Sequence, residues 1–167
     1  MSEIYELASP ERVTVGTVGE PGQRAFFLQA REDRLLVTVR AEKQQIAALA
    51  VHVGKLLEEA PRPGELPSEE GLELEEFAEE HFRAGALAIA YDEDADRIVL
   101  VIQARVPDDE EGDELRVSMT REQAGALAIR GARLVESGRP PCPLCGYPLD
   151  PRGHSCPRTN GHHAPLL

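Results

Sequence analysis

Val13 and Val15 alternate with polar neighbours across residues 12–19, the period-two signature of a half-buried strand. A turn at Glu20–Gln23 separates this run from a second strand over Ala25–Ala30. Arg31–Arg34 is a hairpin connection, and Leu35–Val39 reads as the third strand. The period then changes. Ile46, Leu49, Val53 and Leu56 recur at spacings of 3, 4 and 3, which predicts an amphipathic helix. After an interruption the same grammar returns. Phe82–Tyr91 reads as a strand, Asp92–Asp96 as a tight turn and the fully apolar Ile98–Ile102 as a central strand. An acidic turn at Asp108–Asp113 leads to a short strand at Leu115–Met119. Thr120 and Gln123 have the spacing of a capping box, and a helix is predicted from there to about Ser137.

The two runs of elements also resemble each other in text. Leu35, Val37 and Val39 lie 80 positions before Leu115, Val117 and Met119. Gln45–Ala50 reads QIAALA and Gln123–Ala128 reads QAGALA, 78 positions later. Each helix has one apolar stripe that needs a sheet to bury it. The expected fold is therefore α+β: two duplicated βββα halves, about 10–60 and 82–138, with helices packed on antiparallel sheet. Residues 61–81 form an acidic linker between them, and 139–167 a separate tail. Ten Glu and one Arg lie between Glu58 and Glu80 around a Pro/Gly cluster, so this stretch is expected to be solvated, with a short helix near Leu72–Ala78.

Charge narrows the function classes. The chain carries 18 Lys/Arg against 30 Asp/Glu, a formal net charge of −12. Residues 1–120 hold 12 basic and 27 acidic side chains, whereas 121–167 hold 6 and 3. Long-range repulsion disfavours nucleic acid as a partner of the main body. The basic tail can meet a small anionic ligand or a protein partner. No apolar run approaches the ~18 residues of a membrane span. The acidic start at Met1–Glu6 lacks the apolar core of a signal peptide. The expectation is a cytoplasmic protein with no membrane contact.

All three cysteines fall within one short segment: Cys142, Cys145 and Cys156. Cys142 and Cys145 are spaced to grip one ion, and the loop from Pro148 to Gly153 can reverse the chain to bring His154 and Cys156 to it. Three thiolates and one imidazole close a tetrahedral shell, which points to zinc in a structural role. His154 is the preferred fourth ligand and His162 the alternative. A disulfide would leave one cysteine over. The Cys-x-x-Cys pair follows Gly138–Pro141 rather than a strand, so the setting of a redox pair is missing. Arg152, Arg158, Asn160 and His162 surround the site as possible anion or partner contacts. The leading reading is a non-enzymatic binding or regulatory module; the competing one is an enzyme or ligand-binding protein acting on a phosphorylated small molecule between the acidic body and the basic tail, with Arg130, Arg133, Arg139, Arg152 and Arg158 as its cations.

Other signals fail. Asp92, Asp94 and Asp96 begin like a calcium loop, but Arg97 and Gln103 occupy positions that need Gly and Glu. Gly16, Gly19 and Gly22 do not have phosphate-loop spacing. His52, offset from the apolar stripe of the first helix, is expected to be structural or solvated, and His81 is expected to pair with the acidic run. No catalytic residue can be assigned.

The segment Arg139–Gly161 (RPPCPLCGYPLDPRGHSCPRTNG), together with Gln23–Ala30 (QRAFFLQA), resembles an uncharacterised family of short acidic proteins from high-GC Gram-positive bacteria, a domain of unknown function. The resemblance covers nearly the whole chain. It implies a cytoplasmic, single-domain protein and brings no activity with it.

Overall fold

A computed structural model describes residues 2–20 and 22–137 of the chain. Seven strands and two α-helices follow one another as β1 (Ile4–Leu7), β2 (Arg12–Val18), β3 (Ala25–Glu32), β4 (Leu35–Ala41), α1 (Lys43–Glu59), β5 (Phe82–Asp92), β6 (Arg97–Ala104), β7 (Glu114–Met119) and α2 (Arg121–Ser137). The fold is mixed α and β, built on one sheet in the order β1-β7-β6-β5-β4-β3-β2. The sheet is not purely antiparallel as expected. β4 runs parallel to β5, and β1 runs parallel to β7. A helix follows β4 and must return the chain to the same end before β5 begins, which makes a parallel neighbour the natural partner.

β1 was not foreseen. Its four residues carry too little alternation to register alone, and its partner β7 lies more than a hundred positions away. It reveals the shape of the sheet. β1 and β2 occupy opposite edges, yet only residues 8–11 join them. Seven strands laid flat would separate those edges by ~29 Å, and the five peptide links from Leu7 to Arg12 span at most ~18 Å. The sheet therefore curls until its edges approach. β1 touches β3, and the Tyr5 ring meets the His81 ring edge-on at 5.2 Å.

The inner face of the curl supplies one core. Val13, Val15, Leu28, Val37, Val39, Ile98, Leu100, Ile102, Leu115 and Val117 point inward and are buried, alternating along their strands. Ile46, Leu49 and Val53 of α1, with Ala124 and Leu127 of α2, complete it. The helices cross tightly because Gly131 lacks a side chain: a Cβ there would sit 3.3 Å from Ile46 Cγ2. Both helices begin with a glutamine in the third position that bonds back to the cap. Gln45 Oε1 accepts from the Glu42 amide at 2.8 Å. Gln123 Oε1 accepts from the Thr120 amide, and Thr120 Oγ1 accepts from the Gln123 amide, both at 3.0 Å. The second is the capping box expected from the spacing.

Residues 61–81 hold a single 3₁₀ turn, Glu69–Leu72, not a helix further on. Solvation accounts for many of its glutamates but not for the segment as a whole, because it is strapped across the outer face of β2–β4. Leu72 is buried, its carbonyl accepts from Thr14 Oγ1, and Leu74 fills the notch left by Gly16. Gln29 clasps Glu75 through both its amide groups: Oε1 accepts from the Glu75 N–H at 2.8 Å and Nε2 donates to the Glu75 carbonyl at 3.0 Å. Arg31 and Arg12 hold the Glu75 carboxylate, and Phe77 lies against Phe27. His81 does not pair with the acidic run. Its ring Nδ1 accepts from the Thr38 amide at 3.1 Å, while the His81 backbone N–H donates to the Thr38 carbonyl at 2.7 Å.

Candidate anion site

Every zinc ligand and tail contact named from the sequence lies outside the described residues: Cys142, Cys145, His154, Cys156, Arg152, Arg158, Asn160 and His162. Among the described residues no cluster of three His, Cys, Asp or Glu is placed to hold a metal ion. Of the arginines in the competing reading, Arg130 is committed to the fold, donating from Nε to the Val15 carbonyl at 2.6 Å. Burial pushes its guanidinium below the ordinary arginine value. Arg133 pairs with Glu69. These two do not converge on a cleft. His52 is exposed at the rim of a small apolar cleft between α1 and β5.

Charge gathers elsewhere. The described residues carry 15 Lys/Arg against 29 Asp/Glu, all of the chain's except Arg139, Arg152, Arg158 and Asp150. Five of those 15 cations line one cavity of about 420 Å³: Arg24, Arg40, Lys43, Arg83 and Arg105. A random scatter over so acidic a surface would not collect a third of the cations in one hollow.

The topology explains the convergence. β4 pairs with β5 through Val39–Phe82 and Arg40–Arg83, so the last residues of β4 lie beside the first residues of β5. This stagger leaves a step in the sheet. Arg40 and Lys43 flank the passage from β4 into α1. Arg83 opens β5, Arg105 follows β6, and Arg24 precedes β3. Gln45 ties the step together, its Nε2 donating to the carbonyls of Ala84 and Gly85 at 3.1 and 2.9 Å. A Cβ on Gly85 would meet the Arg105 backbone at 3.1 Å, so the two chain segments press closely here.

α1 has no acidic residue in its first turn, but its N-cap is Glu42, whose carboxylate offsets part of the positive charge at the helix start. The carboxylates nearby are weakly engaged. Glu80 Oε1 stands 4.0 Å from Arg40 Nη1 and 3.8 Å from Arg83 Nε, and Glu42 Oε1 stands 3.4 Å from Arg105 Nη1. The first two exceed hydrogen-bond length. The guanidinium partners are 41–70% exposed. Exposed ion pairs of this kind are worth ~0–1 kcal/mol, so an incoming oxyanion can displace them at small cost. A second hollow shares Arg83 and Arg105 as its wall and is lined on the far side by Glu110, Glu111 and Asp113.

The start of α2 is arranged differently. Arg121 Nε and Nη2 bind the two oxygens of Asp96 at 2.9 and 3.2 Å. Its Nη1 donates to the carbonyls of Pro61 and Arg62 at 2.8 and 2.7 Å. The hydrogen bond from Arg121, reinforced by the Tyr91 hydroxyl, holds the Asp96 carboxyl below its ordinary value. The same carboxylate raises the Tyr91 hydroxyl.

The profile of a family described as "Protein of unknown function (DUF3090)" matches residues 5–156. The chain belongs to this family. The DUF3090 match takes in the curled sheet from Tyr5 onward, both helices and the three cysteines, which bears out the resemblance to an uncharacterised family. No curated protein and no solved structure matches the chain. Among the described residues, no helix is long and apolar enough to cross a membrane.

Sequence reasoning missed this site because its cations are spread from Arg24 to Arg105, with no spacing to mark them. A signal was present. In a chain poor in cations, each of the five stands within three residues of the end of a predicted strand or of Ile46, the first apolar position of the predicted helix.

Proposed function

We propose that this chain is a binding module for a small oxyanion, a phosphate- or carboxylate-bearing metabolite, held in the cavity at the β4–α1–β5 step. The observation that carries the reading is the gathering of Arg24, Arg40, Lys43, Arg83 and Arg105 around one hollow in an acidic body. The lining also offers Gln45, already spent on the backbone, and Glu42, already beside Arg105. Such a set recognises charge and geometry, and it favours binding over catalysis. Arginine forks suit the paired oxygens of phosphate or carboxylate.

The body is read as two duplicated halves, β2-β3-β4-α1 and β5-β6-β7-α2, and bonding supports this. Gln45 of α1 donates to Gly85 on the strand parallel to β4; Gln123 of α2 donates to Pro10, just past the strand parallel to β7, at 2.8 Å. Leu7 pairs with Val117 as Phe82 pairs with Val39, three residues before Pro10 and Gly85 respectively. β1 and β2 together thus take the place that β5 fills alone.

The tail 139–167 is read as a structural zinc module with Cys142, Cys145, Cys156 and His154. α2 ends near the start of α1, where Val135 shares a hollow with Glu42 and Lys43.

The test is a titration with inorganic phosphate at low ionic strength, followed by amide chemical shifts. Saturable changes in the millimolar range (~1 mM corresponds to about −4 kcal/mol) are expected at residues 22–26, 40–45 and 83–85. They should be lost in the Arg40→Gln/Arg83→Gln double variant. Unsaturable shifts, or equal binding by the double variant, would overturn the reading.

A further inference from the structure

The two helix starts compare position by position. Phe26 pairs with Ala41, the last residue of β4; Ile98 pairs with Met119, the last residue of β7. Two residues before Phe26 stands Arg24, and two before Ile98 stands Asp96. Two residues after Ala41 stands Lys43, and two after Met119 stands Arg121. Arg24 and Asp96 therefore hold matching places beside the first residue of each helix. In the second half that pair is carboxylate and guanidinium, closed into a two-point ion pair and covered by the carbonyls of Pro61 and Arg62. In the first half it is cation and cation, both lining an open cavity whose one carboxylate, Glu42 at the cap of α1, faces Arg105.

We infer that the two ends of the fold are one anion site used in two ways: at α2 the protein supplies its own carboxylate from Asp96, and at α1 that carboxylate is absent and an external oxyanion takes its place. This rests on the anion-cavity reading and sharpens it. At α1 the fork of Arg121 is replaced by the point charge of Lys43, so engagement of two oxygens on one centre, as carboxylate and phosphate offer, falls to the guanidiniums around it. The ligand's charge is met by a lysine and the surrounding guanidiniums rather than by metal. The β2–β3 turn determines whether the site is open, since one side chain there decides whether the anion is built in or borrowed.

The substitution at either turn should interconvert the two states. In Asp96→Ala, Arg121 loses its carboxylate, and inorganic phosphate should acquire a second saturable set of amide shifts at residues 94–97 and 119–123, beside the original set at α1. In Arg24→Asp, the built-in carboxylate should pair with Lys43, and phosphate affinity at the α1 site should fall at least roughly tenfold. Asp96→Asn, which keeps the side-chain shape, guards against a folding defect in the alanine variant and should also gain the second set. Far-UV circular dichroism checks that each variant is folded. A folded Asp96 variant that binds only at α1, or an Arg24→Asp protein that binds phosphate as tightly as the parent, overturns the inference and leaves the cavity standing. A parent protein with no saturable set overturns the cavity itself.

Discussion

Replacing Leu72 by Ala tests whether residues 61–81 are a linker or a structural strap. Leu72 is 4% exposed and is the one large apolar side chain of the 3₁₀ turn. The substitution removes three buried carbons. At about 0.8 kcal/mol per carbon this is a transfer loss of about 2.4 kcal/mol. A cavity term adds to that, and measured Leu→Ala losses in cores run from about 2 to 5 kcal/mol. The strap is a surface segment that can settle into part of the void, so the lower half of that range is expected, about 2–3 kcal/mol. For a chain of this size each kcal/mol lowers Tm by roughly 2–4 °C. Urea unfolding should give a lower midpoint with an unchanged slope, because the area exposed on unfolding barely alters. Hydrogen exchange adds local resolution: the Glu75 amide, which donates to Gln29 Oε1, should lose protection. Glu70→Ala, an exposed neighbour on the same turn, should stay within about 0.5 kcal/mol of the parent. If Leu72→Ala does the same, the strap contributes nothing and the packing argument is wrong.

Three further outcomes are expected. Glu75, Asp96 and Glu114 all have carboxyls held below their ordinary values, chiefly by hydrogen bonds from Arg31, Arg121 and Arg116 respectively. Their stabilisation is present above the unfolded carboxylate value and lost as pH falls through the folded one, so urea midpoints should be flat near neutrality and decline below about pH 4; Glu75→Gln should shallow that decline. Gly131→Leu forces a side chain against Ile46 and Val15 and should cost about 1–3 kcal/mol by overpacking, read as a lower thermal midpoint, whereas an unchanged midpoint would mean that the helices do not cross there. Elemental analysis of freshly purified protein should find about one zinc per chain; Cys142→Ser should lose it, while the far-UV spectrum of the body persists.

Much of the fold was legible because it depends on local periodicity. The alternation at Val13/Val15 and the 3-4-3 spacing from Ile46 to Leu56 are short-range consequences of burying one face. The Thr120–Gln123 cap was readable for the same reason: its partners are three residues apart. What escaped is long-range. β1 owes its strand to β7, and the strap owes its order to Gln29, Arg31 and Phe27, partners that no window around Glu75 contains. The acidic composition of 61–81 pointed to solvation, and its few apolar residues, Leu72, Leu74 and Phe77, carried the contrary signal. The anion cavity is an extreme case, assembled from four chain segments by the stagger between β4 and β5. His81 was misread because the nearest charges in sequence are acidic, whereas its ring is spent on the Thr38 amide.

The most direct measurement of the central claim is anomalous diffraction from crystals equilibrated with selenate, a tetrahedral oxyanion of phosphate-like shape whose selenium can be located without bias. A single strong peak within hydrogen-bonding reach of Lys43 and the guanidiniums of Arg40 and Arg83 is the expected result. A cavity without a peak, in crystals where selenate occupies other sites on the same chain, would contradict the claim.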